Sequence, residues 1–220
     1  MSHIKSFVIR QARMSDSQKY YYASVFPEYE IPYEEKDTYI TELAQEYRSL
    51  VIEIGFGMGD ATVEIAAQMP DTLFIGIEVH KPGIGKLSRK IKESAIHNVR
   101  IIERDAIEVF RDMIKPGFVD GIHVFFPDPW PKKKHHKRRL LKVEFLSLLA
   151  DRLKTNGYLF IATDWEDYAS SIELEAQKIT GLSKIDHGAG EIAPYRPATA
   201  FEKKAVAVNR SIHEFIFRKI

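Results

Sequence analysis

The chain has 220 residues, 45% apolar and 29% charged, with no cysteine; that is enough for one α/β domain with a sizeable core and excludes a disordered or collagen-like chain. Without cysteine there is no disulfide, thiolate metal site or thiol nucleophile, which fits a reducing, cytoplasmic setting. The net charge is only +1, yet residues 132–142 hold seven Lys/Arg and no acid, leaving −6 on the other 209 residues.

In chain order, residues 1–49 are polar and tyrosine-rich (Tyr20, Tyr21, Tyr22, Tyr29, Tyr33, Tyr39, Tyr47). They read as an extended arm with one helix near Asp37–Tyr47, leading into a single domain over residues 50–220. From Leu50 short apolar runs alternate with amphipathic stretches. LVIEIG, LFIGIEV, VRIIERD, VDGIHVFFPD and GYLFIATD are rich in Val, Ile and Phe and predict strands. Helices are predicted over Asp60–Gln68, Lys86–His97, Ala106–Ile114, Leu140–Lys154 and Trp165–Thr180. Such alternation implies right-handed βαβ crossovers and a parallel sheet. Near the end, AVAVN and HEFIFRK alternate at period two with few residues between them, and predict a terminal antiparallel hairpin. The expected fold is a doubly wound, Rossmann-like α/β sheet with that hairpin at one edge. No run reaches the ~20 apolar residues of a membrane span, and the first residues lack a signal-peptide pattern. No membrane partner is expected.

Ligands of such sheets bind beyond the carboxyl ends of the strands. The first strand runs through Glu53 into Gly55-Phe56-Gly57-Met58-Gly59, where alternating glycines let the backbone turn and approach a ligand. A dinucleotide fingerprint wants a third glycine where Asp60 stands, and that carboxylate would repel a pyrophosphate. Glu78 ends the second strand, placed to accept ribose hydroxyls. Asp105 ends the third, placed to accept from an exocyclic amine. Asp128 follows the fourth in Phe125-Phe126-Pro127-Asp128-Pro129-Trp130-Pro131. This acidic rim suits a nucleoside with hydroxyls, an amine and a positive centre, and S-adenosylmethionine is such a nucleoside. The bland alternative is that each acid only caps the following helix.

Directly after comes Lys132-Lys133-Lys134-His135-His136-Lys137-Arg138-Arg139. Cations on the same rim would neutralise several phosphates and give salt-sensitive, largely sequence-independent affinity. Nucleic acid is therefore the expected methyl acceptor. Adjacent histidines cannot easily share one ion, no HxH or HExxH spacing occurs, and the flanking cations repel metal, so no metal site is expected.

FPDPWPKKKHHKRR, with EIGFGMG before it and TAFE after it, resembles the bacterial tRNA (guanine-N7)-methyltransferases, which are class I S-adenosylmethionine-dependent enzymes. The likeness runs from Arg10-Gln11-Ala12-Arg13 to Thr199-Ala200-Phe201-Glu202. It implies cofactor contacts at Glu53, Gly55, Gly57, Gly59, Glu78, Asp105 and Asp128, with Asp128 the candidate catalytic residue. It implies substrate contacts at Lys132, Asp164, Thr199, Ala200, Phe201 and Glu202, and RNA contacts at Lys134, His135, His136, Lys137, Arg138 and Arg139. The implied product is 7-methylguanosine at position 46, in the variable loop of tRNA. Pro131 departs from many members, which carry another residue between Trp and Lys. Trp130 is balanced between stacking on a base and packing, and Arg10 and Arg13 between gripping tRNA and ordinary surface charge. Rivals are an exocyclic-amine nucleic-acid methyltransferase, a non-catalytic RNA-binding module, and, more weakly, an aminopropyltransferase.

Overall fold

Five runs of β-branched and aromatic residues form the parallel part of a seven-stranded sheet: β1 (Ser49–Ile54), β2 (Thr72–Glu78), β3 (Val99–Glu103), β4 (Val119–Phe125) and β5 (Leu153–Thr163). A computed structural model describes residues 6–7, 13–185, 196–198 and 200–220 of the chain. Two further strands, β6 (Leu182–Ile185) and β7 (His213–Lys219), complete the order β3-β2-β1-β4-β5-β7-β6. The parallel strands are buried along nearly their whole length because helices cover both faces, which is why they read as continuous apolar runs. The order reverses between β1 and β4, so the crevice expected to take a ligand opens beyond Ile54 and Phe125.

Helices α3 (Asp60–Gln68) and α4 (Lys81–Glu93) lie on one face with Val51, Phe74, Val99 and Phe160. On the other face α5 (Ala106–Asp112), α6 (Val143–Arg152) and α7 (Glu166–Ala176) cover Ile52, Ile75, Ile122, Leu159 and Phe217. The predicted helix over Asp60–Gln68 coincides with α3, whereas α4 begins five residues before the predicted Lys86. Pro82 in its first turn has no N–H to lose there and carries the fixed φ a helix start needs. The arm contributes α2 (Thr38–Ala44), within the expected span. It also contributes α1 (Asp16–Ser24), which was expected to be extended. Ser15 and Gln18 form a reciprocal capping box that supplies two of the orphan N-terminal partners. Helix α1 lies across α4: Gln18 Nε2 donates to the Pro82 carbonyl at 3.2 Å, and the Tyr22 hydroxyl to Glu103 at 2.6 Å.

The terminal hairpin is partly corrected. HEFIFRK is a strand, pairing antiparallel with β5 and with β6. Its partner in the pair is Leu182–Ile185 rather than AVAVN. Ala205–Ala207 instead close helix α8 (Ala200–Ala207), followed by a turn at Val208 and Asn209. Among the described residues no helix is long and apolar enough to cross a membrane.

Candidate active site

The glycine loop leaves β1 with Gly55, Gly57 and Gly59 all at positive φ (+71°, +57° and +70°), a backbone path that side chains with a Cβ resist. It is also tightly backed: a Cβ on Gly83 of α4 would come within 2.0 Å of the Gly57 carbonyl oxygen. Space above Gly55 is open. The next strand end is tied to this loop, since the Gly57 N–H donates to Glu78 Oε2 at 3.0 Å. Glu78 Oε1 accepts from the N–H groups of Val79 and His80 at 2.7 and 3.0 Å. Burial pushes the Glu78 carboxyl up from its ordinary range, and these three N–H groups oppose that rise. Asp105 is 8% exposed and caps α5 by accepting from the Ile107 N–H at 2.9 Å, so the capping alternative holds there in addition to any role towards a ligand.

Glu53 lies beneath the loop, 3% exposed, with the Thr62 hydroxyl donating to its Oε2 at 2.7 Å. Burial pushes it up to about 7, the Thr62 bond pulls it back and the Glu78 charge raises it further. An acid raised from its ordinary 4.5 keeps a proton in the folded chain that the unfolded chain has lost. Its contribution to stability is complete below about pH 4.5 and gone above about pH 7. His123, fully buried in β4 against Phe125 and Phe160, is lowered to about 3 by burial and works in the opposite sense. Only a difference experiment isolates Glu53. Glu53→Gln is expected to gain on wild type by about 2–3 kcal/mol between pH 5 and 7.5, because each pH unit between the folded and unfolded values corresponds to roughly 1.4 kcal/mol. Denaturant midpoints that move in parallel for both proteins across that range would refute it.

These groups fit S-adenosylmethionine. The strand-end carboxylates suit hydroxyls, an amine and a cationic sulfur, and the loop is open on its outer side. Asp60 repels a phosphate less than expected, because Lys90 pairs with it. Glu78 remains to disfavour one.

Asp128 is exposed at the tip beyond β4. Two non-glycine residues in left-handed backbone, Phe126 (φ +54°) and Trp130 (φ +46°), bracket it; such strain persists only where surrounding structure holds it. Trp130 is taken up by packing: its Nε1–H donates to the Ser6 carbonyl at 2.9 Å, His135 meets its ring edge-on, and the Arg138 guanidinium lies 5.1 Å from its centre. The cationic run forms a 3-10 helix over Lys133–Arg138. Lys132, Lys133, Lys134 and Lys137 are exposed and make no ion pair with any described residue. The limited burial at His135 and the surrounding Lys134, Arg138, Lys132 and Lys137 lower its imidazole, leaving the positive charge to Lys and Arg. His136 Nε2 lies 3.8 Å from Asp167.

Arg139 differs from its neighbours and is withdrawn from the expected RNA-binding set. It is 6% exposed, donates from Nε to the Pro129 carbonyl at 2.9 Å, pairs with Asp167 of α7, and lies 4.8 Å from the centre of the Tyr168 ring. Its charge is used inside the fold to hold the Pro129 turn. Arg139→Ala is expected to destabilise the protein by about 1–3 kcal/mol in urea unfolding. The full cost of breaking a buried pair does not apply, because Asp167, 63% exposed, stays hydrated when abandoned. An unshifted midpoint would remove this structural role.

Asp164, just past β5, accepts from Arg210 Nη1 at 2.8 Å, and Arg210 also lies over Trp165. Glu202 of α8 is held by Arg196. Thr199 lies outside the described residues; Ala200 and Phe201 open α8. Sequence reading missed Arg196 and Arg210, and the only signal was their closeness in the chain to Thr199–Glu202. A cavity of about 310 Å³ lined by Ser49, Asp120, Lys154 and Tyr158 opens at the opposite ends of the strands and contains no predicted site residue.

Residues 47–215 match the family model described as "Putative methyltransferase". The tRNA (guanine-N(7)-)-methyltransferase of Nitrosomonas eutropha is 44% identical over 98% of this chain and 96% of its own length. That of Neisseria meningitidis serogroup A is 39% identical over 99% and 91%. In fold alone, the 16S rRNA methyltransferase KamB superposes with a TM-score of 0.60 at 16% identity, over 83% of this chain and 93% of that one. SMU.1697c from Streptococcus mutans, solved in complex with SAH, superposes at 0.54 and 13% identity, over 84% and 98%. With the loop, the acidic rim and the cationic turn in place, the chain belongs to the tRNA (guanine-N7)-methyltransferase family.

Proposed function

We propose that the protein transfers a methyl group from S-adenosylmethionine to N7 of guanine in tRNA, at position 46 of the variable loop, forming 7-methylguanosine. One juxtaposition carries this reading. Four lysines without an ion pair to any described residue stand on the turn that starts four residues after Asp128, and β4 is the strand next to the glycine loop across the sheet's switch point. Polyanion and methyl donor would then meet at one crevice.

When bound, S-adenosylmethionine supplies an electrophilic methyl group on a cationic sulfur. Guanine N7 carries an in-plane lone pair and no proton, so this chain need not provide a general base. Its residues have to bind, align and tolerate positive charge spreading over the purine. In this reading Asp128 would accept from a guanine N–H and favour that charge, and Glu202 and Asp164 would accept from the Watson–Crick edge. Lys132, Lys133, Lys134, Lys137 and Arg138 would hold phosphates and set the register of the strand. Freeing a base whose Hoogsteen edge is occupied in folded tRNA requires a few kcal/mol, which phosphate contacts can supply.

Incubating the protein with unmodified tRNA and methyl-labelled donor, followed by nucleoside analysis, tests the reading. Label in 7-methylguanosine supports it. Label on an exocyclic amine would replace it with the rival methyltransferase, and tRNA binding without any transfer would leave a binding module.

A further inference from the structure

Arg196 carries a buried charge outside the groups assigned to donor, guanine or phosphate. Its side chain is 4% exposed. Nε donates to Glu214 Oε1 of β7 at 2.7 Å, Nη1 donates to Glu202 Oε2 of α8, and Nη2 also pairs with Glu214. The guanidinium lies 5.7 Å from the centre of the Phe125 ring and 5.4 Å from that of Phe126. Phe125 closes β4, and Phe126 is the left-handed residue two positions before Asp128. One planar group therefore joins three things: the helix that carries Glu202, the last strand, and the base of the turn that displays Asp128.

A buried ion pair is an uncertain source of stability, because desolvation offsets most of the attraction. Burial opposes the charge of Arg196, but Glu202 and Glu214 more than compensate and hold its guanidinium above the ordinary value. What such an arrangement secures is geometry. A guanidinium offers donors in a fixed fork and lies flat against aromatic rings, whereas a lysine ammonium is a point charge that can do neither. Acceptors help a reacting ring most when they need not reorganise as its charge grows.

We infer that Arg196 is a positioning residue for the guanine, fixing the Glu202 carboxylate relative to the Asp128 turn so that both acceptors meet the base at a constant separation. This role rests on the proposed methyl transfer to guanine. Arg210 holds Asp164 in a comparable way, but from a half-exposed side chain with no second acid in its grip among the described residues, so it constrains less.

The test is a double-mutant cycle with Arg196→Gln, Glu202→Gln and their combination, alongside Arg196→Lys. It reads kcat and KM for tRNA, donor affinity by calorimetry, and Tm, with assays well below every Tm. Arg196→Gln is expected to lower kcat about tenfold or more, as small misplacements of reacting groups do, with KM and donor affinity within about threefold. The combined variant is expected to be no slower than Glu202→Gln alone, because Arg196 acts through that carboxylate. Arg196→Lys should recover more of the Tm than of kcat. If Arg196→Gln fails to fold, the lysine variant carries the same cycle. Effects that multiply in the combined variant, or a lowered Tm with normal kcat, would overturn the role. If wild type places no label in 7-methylguanosine, the proposed reaction falls and takes this role with it; normal wild-type turnover with multiplying effects removes Arg196 alone.

Discussion

Asp128→Ala is expected to reduce turnover by roughly 10²–10³, the range seen when one preorganised charge-stabilising group is lost, while tRNA affinity stays within a few fold. The side chain is exposed at a strand tip, so its loss leaves the two cores untouched. The backbone that displays it is held by the Trp130 Nε1–H on the Ser6 carbonyl and by Arg139 on the Pro129 carbonyl. The turn should therefore keep its shape with alanine in place. In the proposed reaction what is lost is negative charge beside a purine that becomes cationic, an effect felt in the transition state far more than in binding. Single-turnover rates at saturating tRNA, with binding measured separately, check this. Asp128→Asn separates charge from hydrogen bonding: it should restore little if charge dominates. Unchanged turnover in the alanine variant would take Asp128 off the reacting centre.

The second large effect is electrostatic. Replacing Lys132, Lys133, Lys134 and Lys137 together by glutamine should weaken tRNA binding and lower the slope of log affinity against log salt by about 3–4, roughly one for each phosphate no longer neutralised. All four are exposed and make no ion pair with any described residue, so Tm should not fall. Arg139 is left intact in this variant because its removal would perturb the fold and confuse the readout. The measurement is affinity at several salt concentrations together with a melt. A slope equal to that of wild type would place the RNA on another surface.

The parallel strands and the glycine loop were legible in the sequence because burial on both faces demands uninterrupted Val, Ile and Phe, and positive φ demands glycine. Other features were hidden for identifiable reasons. Helix α1 is a run of tyrosines with no apolar stripe, and its signal was the Ser15-x-x-Gln18 box. AVAVN alternates, but over five residues that pattern is equally compatible with the end of a helix, and α8 takes most of it. β6 is four residues long and half-exposed, too short and too polar to stand out. The carboxylates of the rim could be placed from strand ends, yet their partners could not. Nothing in the string KRR says that its last arginine turns inward to Asp167, or that Arg196 reaches Glu214 eighteen residues away. Ion pairs of this kind are fixed by tertiary packing, which local patterns do not encode.

The position of β7 bears on how the protein is made. Among the described elements this strand is the last to leave the ribosome, yet it takes its place between β5 and β6. Until it emerges, β6 has no neighbour to bond with and the outer edge of β5 stays open over six residue pairs. During synthesis that bare edge is a template for the wrong strand, from this chain or another. Premature release of the nascent polypeptide before His213 should therefore yield aggregates instead of a slightly smaller folded protein.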